Sequence, residues 1–129
     1  MSYKVTLTQK QCFNMDPLEL ADMLEKEMRF NIPDEVIGRE NQKMASETVT
    51  KATAYASYFT EMEMKARILK KTAKAAKKTD EYNRMMAIED VFKSFKEIAK
   101  MQIENVAKLM TLKRLELEDQ KNNYNSNIT

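Results

Sequence analysis

The sequence predicts an all-α fold: a long antiparallel helical hairpin, preceded by a short helix and a flexible or strand-like N-terminal arm. Its 129 residues include only one glycine and two prolines, and none of these follows Gly38. Good helix formers such as lysine, glutamate, alanine, methionine and leucine are abundant. A chain of this length forms one domain. We assign it to residues 16–121, with the arm at 1–15 and a disordered tail at 122–129.

The longest regular pattern predicts a helix over residues 39–78. Small and apolar residues recur there at alternating spacings of three and four, which is typical of a helix packed lengthwise on another. We call these residues the seam: Ala45, Thr48, Ala52, Tyr55, Phe59, Met62, Ala66, Leu69, Ala73 and Ala76.

A short helix is predicted over 17–30. Asp16 is a preferred capping residue, and Pro17 fits the first helical position because its missing N–H would have no partner there. Pro33 disfavours helical geometry at Ile32, so the helix should end before it.

The last helix is predicted over 80–120. Lysines at 77 and 78 are followed by Asp80 and Glu81, and this charge reversal is typical of one helix ending where the next begins. The alternative, one continuous helix of roughly 80 residues, would need a partner chain along its length. We favour the hairpin.

The apolar residues of the last helix form a stripe too wide for one neighbouring helix. Gln102 and Asn105 interrupt this stripe, and polar groups in such positions often fix register at a cost in stability. Because the hairpin is elongated and its core thin, we expect a homo-oligomer. The stripe contains Met85, Ile88, Val91, Phe92, Phe95, Ile98, Ala99, Ile103, Val106, Leu109, Met110 and Leu112.

Near the N-terminus, Tyr3, Val5 and Leu7 alternate with polar residues, as in a short strand. A lone strand has no partner in an all-α chain. The segment is therefore either a loose arm, which we favour, or a strand that pairs with a neighbouring subunit.

The composition argues against an enzyme. Histidine is absent, which removes the commonest general base and zinc ligand. One cysteine, Cys12, cannot form a thiolate metal site, and one glycine cannot build a phosphate-binding loop. We expect no catalytic residues, no metal, no cofactor and no small-molecule substrate. The unpaired cysteine and the lack of a spanning segment or signal peptide indicate a cytoplasmic protein without a membrane partner.

The net charge of +2 conceals an uneven distribution. Acidic residues concentrate between 16 and 40, whereas residues 65–78 contain seven basic residues and no acidic one. Local density of this kind sets the surface potential. Six of the seven, all but Lys65, recur at helical spacing and should line one outward stripe. The seven are Lys65, Arg67, Lys70, Lys71, Lys74, Lys77 and Lys78.

Two interpretations of these basic residues remain open. They are either a solubilising surface, in which Lys65 pairs with Glu61, or a surface that holds a polyanion. A solubilising face normally mixes both signs of charge. Single-stranded nucleic acid is the favoured anion, because no helix resembles one that reads a duplex groove.

Aromatic residues near the basic segment divide into two pairs. Tyr55 and Phe59 lie on the seam and should be core residues. Tyr58 lies off the seam, and Tyr82 follows the lysines at the hairpin tip. We therefore predict that Tyr58 and Tyr82 stack on bases.

The order of these segments resembles the phage recombination mediator proteins of the UvsY type. Over 47–118, an aromatic run at 55–59 is followed by a basic run at 64–71, by Ile88-Glu89-Asp90-Val91 and by an amphipathic helix ending near 112–115. The resemblance implies a small, helical, ring-forming protein that binds single-stranded DNA. It also implies that the protein helps load a RecA-like recombinase onto strands covered by single-strand-binding protein. The seven basic residues would then contact the phosphates.

The alternative function is a phage-type protein that acts through protein contacts alone, either an inhibitor of a host defence complex or a structural adaptor in a virion. A phage-encoded protein of either kind would act in the host cytoplasm. An inhibitor can also use a charged face, so the basic segment does not separate the two functions. Binding to an oligonucleotide distinguishes the two functions, because only a nucleic-acid-binding protein would show it.

Overall fold

The computed structural model describes residues 3–5, 7, 9–32 and 42–128, and these form an all-α structure with no strand. The four helices are α1 (Gln9–Phe13), α2 (Pro17–Asn31), α3 (Gln42–Ala75) and α4 (Thr79–Ile128). Helices α3 and α4 pack antiparallel along their length. The predicted all-α helical hairpin is confirmed.

The boundaries of α2 follow from its terminal residues. The Asp16 side chain accepts a hydrogen bond from Leu18 N at 3.2 Å, and Pro17 occupies the first turn. At the other end Ile32 N donates to Met28 O at 2.7 Å. The helix therefore ends at Asn31, one residue later than the sequence predicts.

The seam forms the hairpin core. Seven of its ten residues are buried, while Thr48 is half-buried and Leu69 and Ala76 are exposed. The prediction that Tyr55 and Phe59 are core residues is confirmed, since neither side chain is accessible to solvent. The buried seam residues are Ala45, Ala52, Tyr55, Phe59, Met62, Ala66 and Ala73.

One side of the hairpin is covered by the N-terminal segment and α2. The Phe13 ring meets Phe92 edge-on at 6.0 Å, and the Tyr3 hydroxyl lies 3.1 Å from that of Tyr55. Asn31, the last residue of α2, donates to the same Tyr55 hydroxyl at 2.9 Å. Most of the wide apolar stripe of α4 is thus covered by α3 and by the N-terminal elements of the same chain, whereas Ile98 and Leu112 remain exposed.

The N-terminal arm differs from the predicted loose segment. Residues 9–13 form α1, and Tyr3, Val5 and Leu7 pack against the core without forming a strand. Their apolar side chains are removed from water by this packing, which favours a docked position over a free one.

The long helices also differ from prediction in length. Helix α3 ends at Ala75 rather than at 78, because residues 76–78 form the turn; the predicted start at 39 lies outside the described residues. Helix α4 continues to Ile128, through residues 122–128 that were predicted to be disordered. No glycine or proline follows Gly38, so nothing in the sequence terminates α4 earlier.

Candidate nucleic-acid interface

The seven predicted basic residues do not form one outward surface. Lys65 Nζ lies 2.9 Å from Glu61 on the same helix, as the solubilising interpretation predicts. Arg67 and Lys70 turn toward α4, where both contact Glu89, at 3.5 and 2.8 Å. The predicted outward stripe is therefore wrong for Arg67 and Lys70. Their positions border the seam, and a carboxylate of the neighbouring helix lies within their reach.

These contacts belong to a network of charges between α3 and α4. Glu63 is 6% exposed, and its carboxylate lies 2.6 Å from Lys96 Nζ and 3.5 Å from Arg67 Nη2. Arg67 in turn connects Glu63 to Glu89. The network neutralises Glu63 and Glu89 with three cations, so it has little charge left for an external anion.

The protonation of Glu89 reflects this arrangement. Burial alone would raise the pKa of its carboxyl, but hydrogen bonds from Lys70 and Arg67 outweigh that effect and hold the pKa below its usual range. The same hydrogen bond raises the pKa of the Lys70 ammonium. Lys70 is therefore committed to a contact within the chain.

Four lysines remain available, and we call them the end cluster. They are exposed, and none forms an ion pair with any residue that the structure describes. Lys71 and Lys74 lie in the last two turns of α3, and Lys77 and Lys78 lie in the turn that follows it. The end cluster consists of Lys71, Lys74, Lys77 and Lys78.

The backbone at the hairpin tip holds two of these lysines in a defined geometry. Lys78 N donates to Ala73 O at 2.9 Å and Lys77 N to Lys74 O at 3.1 Å, the paired bonds of a Schellman motif. Lys77 has a φ of 58°, in the left-handed region where glycine is the usual residue. The chain therefore carries a lysine where backbone energy favours glycine.

Acidic residues beside the tip only partly offset this charge. Glu81 Oε1 lies 2.9 Å from Arg84 Nη2 in the first turns of α4, so this carboxylate is already paired. Asp80 is exposed and lies two residues after Lys78. The tip keeps a net positive charge.

The two tyrosines predicted to stack on bases lie in different environments. Tyr58 is half-buried: its ring packs edge-on against Phe59 at 5.6 Å, and its hydroxyl donates to Leu7 O at 3.3 Å and contacts Cys12 Sγ at 3.4 Å. Burial raises the pKa of its phenol. Tyr82 is half-buried at the tip, and its N donates to Lys78 O at 2.9 Å. Only Tyr82 adjoins the end cluster.

Two cations that matter to this geometry were missed in the sequence. Lys96 supplies the shortest contact to Glu63, and Arg84 donates to the carbonyl oxygens of Phe13 and Met15, which ties the N-terminal segment to α4. The position of Lys96 beside the seam could have been predicted from the sequence. Glu63 and Lys70 are seven residues apart, as are Glu89 and Lys96, which is the spacing of residues that flank an antiparallel seam.

Comparisons with known proteins assign no family to the chain: no family model, curated protein or solved structure matches it. Within the described residues, no helix is both long and apolar enough to cross a bilayer. The same part of the chain contains no group of three or more Asp, Glu, Cys or His side chains arranged to hold a metal ion. The interpretation therefore depends on the geometry of the hairpin.

Proposed function

We propose that this chain is a non-enzymatic, self-associating cytoplasmic protein that binds single-stranded nucleic acid through the end cluster. One observation carries the proposal: three of the seven basic residues are neutralised by carboxylates, whereas the four of the end cluster are exposed and have no acidic partner in the described residues. Four like charges within eight consecutive residues repel one another, and a polyanion relieves that repulsion.

The left-handed backbone at Lys77 supports the same proposal. A residue other than glycine costs about 1–2 kcal/mol in this conformation. A fourth cation in the end cluster is a physical reason to retain lysine at this cost, since each phosphate contact adds to the affinity for nucleic acid. Strained backbone of this kind is often found at functional sites.

Tyr82 gives the end cluster a stacking platform. Tyr82 is half-buried at the tip, four residues after Lys78, and base stacking on an aromatic ring is tolerant of sequence. Lysine contacts to phosphates are also blind to sequence. Together they fit a mediator of the UvsY type, which would act on strands regardless of their sequence alongside a recombinase or a single-strand-binding protein.

The salt dependence of oligonucleotide binding tests the proposal quantitatively. For single strands the slope of log K against log salt is about −0.7 per phosphate contacted. The end cluster therefore predicts a slope of about −3, whereas all seven basic residues would give about −5. The measurement is the fluorescence anisotropy of labelled oligo(dT) at several salt concentrations. No anisotropy change at micromolar protein in low salt would rule out nucleic-acid binding.

Two matched substitutions locate the binding surface. Lys74→Gln removes a charge from the end cluster, and Lys65→Gln removes the same charge from a lysine that pairs with Glu61. We expect Lys74→Gln to weaken binding and reduce the slope by about 0.7, and Lys65→Gln to leave both nearly unchanged. Equal effects of the two substitutions would show that net charge, and not the end cluster, drives binding.

Function through protein contacts alone is the second candidate, and one observation favours it. Large apolar side chains are exposed on the helices, and Ile68 and Met64 lie one and two turns before Lys71 of the end cluster, at 58% and 53% exposure. Apolar residues next to cations are typical of surfaces that bind proteins. In this case the chain binds no oligonucleotide under any condition, and a host complex or a virion component is its partner.

A further inference from the structure

The first turns of α2 expose an acidic surface that no part of the described chain covers. Leu18 is 79% exposed, and Glu19 and Asp22 are exposed without an ion pair among the described residues. Leu20 and Leu24 are buried on the opposite side of the helix. No basic residue occurs between residues 16 and 25. We call Leu18, Glu19 and Asp22 the acidic patch.

The outward side of α3 carries a surface of opposite charge. At helical spacing, Met64, Ile68 and Lys71 lie within one arc opposite the buried seam residues Ala66 and Ala73, and Lys74 lies at the edge of this arc. Ile68 and Met64 are more than half exposed, and the two lysines belong to the end cluster. We call these four residues the basic patch.

We propose that the acidic patch of one copy of this chain binds the basic patch of another. Each patch combines exposed apolar side chains with charges of one sign, and the signs are opposite. Leu18 packed on Ile68 would remove apolar surface from water on both sides of the contact. Glu19 and Asp22 facing Lys71 and Lys74 would set the orientation of the two copies.

The contact forms between chains and not within one. Leu18 and Ile68 are both mostly exposed, so they do not cover each other in the same molecule. The two patches are different surfaces, so the association is heterologous and each copy offers one patch to each of two neighbours. This inference rests on the self-association in the proposed function. Because the contact uses Lys71 and Lys74 of the end cluster, a bound single strand and the acidic patch of a neighbouring copy would compete for these two lysines.

Charge reversal of each patch, alone and together, tests the contact. The variants are Glu19→Lys/Asp22→Lys, Lys71→Glu/Lys74→Glu and the four substitutions combined. Size-exclusion chromatography with light scattering measures the mass at low salt. We expect the parent to exceed the 15.1 kDa of one chain, each single-patch variant to fall to that mass, and the combination to recover the parental mass.

A control variant distinguishes loss of the contact from an effect of the changed net charge. Lys100 and Lys108 are exposed on α4, and Lys100→Glu/Lys108→Glu changes the net charge as much as reversal of the basic patch does. We expect this variant to keep the parental mass. Circular dichroism checks that every variant remains helical. The parental mass should also fall with added salt, a result that needs no substitution.

Distinct results would overturn the inference. If the parent is multimeric at every salt concentration and neither charge reversal changes its mass, the chains associate through other surfaces. This result would contradict the contact but leave the proposed self-association intact. A combined variant that stays at one chain's mass would show that the two patches do not meet. A parent that is a monomer at every concentration contradicts both this contact and the proposed self-association.

Discussion

Lys96 Nζ lies 2.6 Å from Glu63 Oε2, and this ion pair joins the two long helices beside their buried seam. The side chains are 16% and 8% exposed, so water solvates neither well. Arg67 and Lys70 reach Glu89 along the same side of the hairpin. The pair thus forms one end of a network that fixes how the helices align and that withdraws two cations from the candidate interface.

Substitution of Lys96→Met should destabilise the protein by about 3 kcal/mol, because it leaves the buried Glu63 without its nearest cation. Urea unfolding followed by circular dichroism measures this loss. The double variant Glu63→Leu/Lys96→Met removes both charges and should unfold close to the parent. If Lys96→Met unfolds at the parental urea concentration, the ion pair does not support the hairpin.

Substitution of Lys77→Gly should stabilise the protein by about 1 kcal/mol, because glycine adopts the 58° φ of this position without a steric cost. The matched variant Lys78→Gly should give no gain, since the neighbouring residue does not have a positive φ. Thermal unfolding measures both. Because Lys77→Gly also removes a cation from the end cluster, it should weaken oligonucleotide binding while it raises stability. A variant less stable than the parent would contradict the left-handed turn.

Acid should destabilise the hairpin through Glu89. The pKa of this carboxyl is lowered in the folded chain, so its contribution to stability is complete above the unfolded value near 4.5 and is lost as the pH falls through the lower folded value. Burial raises the pKa of Glu27, which acts in the opposite direction. A comparison of the parent with Glu89→Gln isolates Glu89: the stability difference seen at pH 7 should shrink below about pH 4.5. A difference that stays constant to pH 3 would show that Glu89 is not held ionised by its neighbours.

Substitution of Gln102→Met should stabilise the protein by about 1 kcal/mol. The Gln102 Oε1 atom is buried and has no hydrogen-bond partner among the described residues, and an unmade bond of this kind costs about 1–3 kcal/mol. The Gln102 side chain lines a half-open pocket of about 270 Å³ with the apolar side chains of Met28 and Phe95, against which a methionine would pack. Asn105, the other polar residue in the apolar stripe, is exposed, so Asn105→Ala should change stability by less than about 0.5 kcal/mol. A loss of stability in Gln102→Met would mean that the amide is hydrogen-bonded in solution.

The sequence by itself determined helices α2, α3 and α4, the hairpin and most of the seam, but not helix α1. These follow from local rules: few helix breakers, spacings of three and four, and the charge reversal at the turn all act between residues that are close along the chain. The core positions of Tyr55 and Phe59 follow from the same spacing. The width of the apolar stripe of α4 also predicted that more than one element would pack against it.

Only the tertiary structure decided which basic residues are available. Lys70 is neutralised by Glu89 of the other helix, and Tyr58 is held by Leu7 and Cys12, residues far from it in sequence. Spacing along the chain does not fix which residues meet in such contacts, because they depend on the register of α3 against α4 and on where the N-terminal segment docks. Seven basic residues in sequence thus became four at the tip, since a charge is available to a ligand only where folding leaves it without a partner.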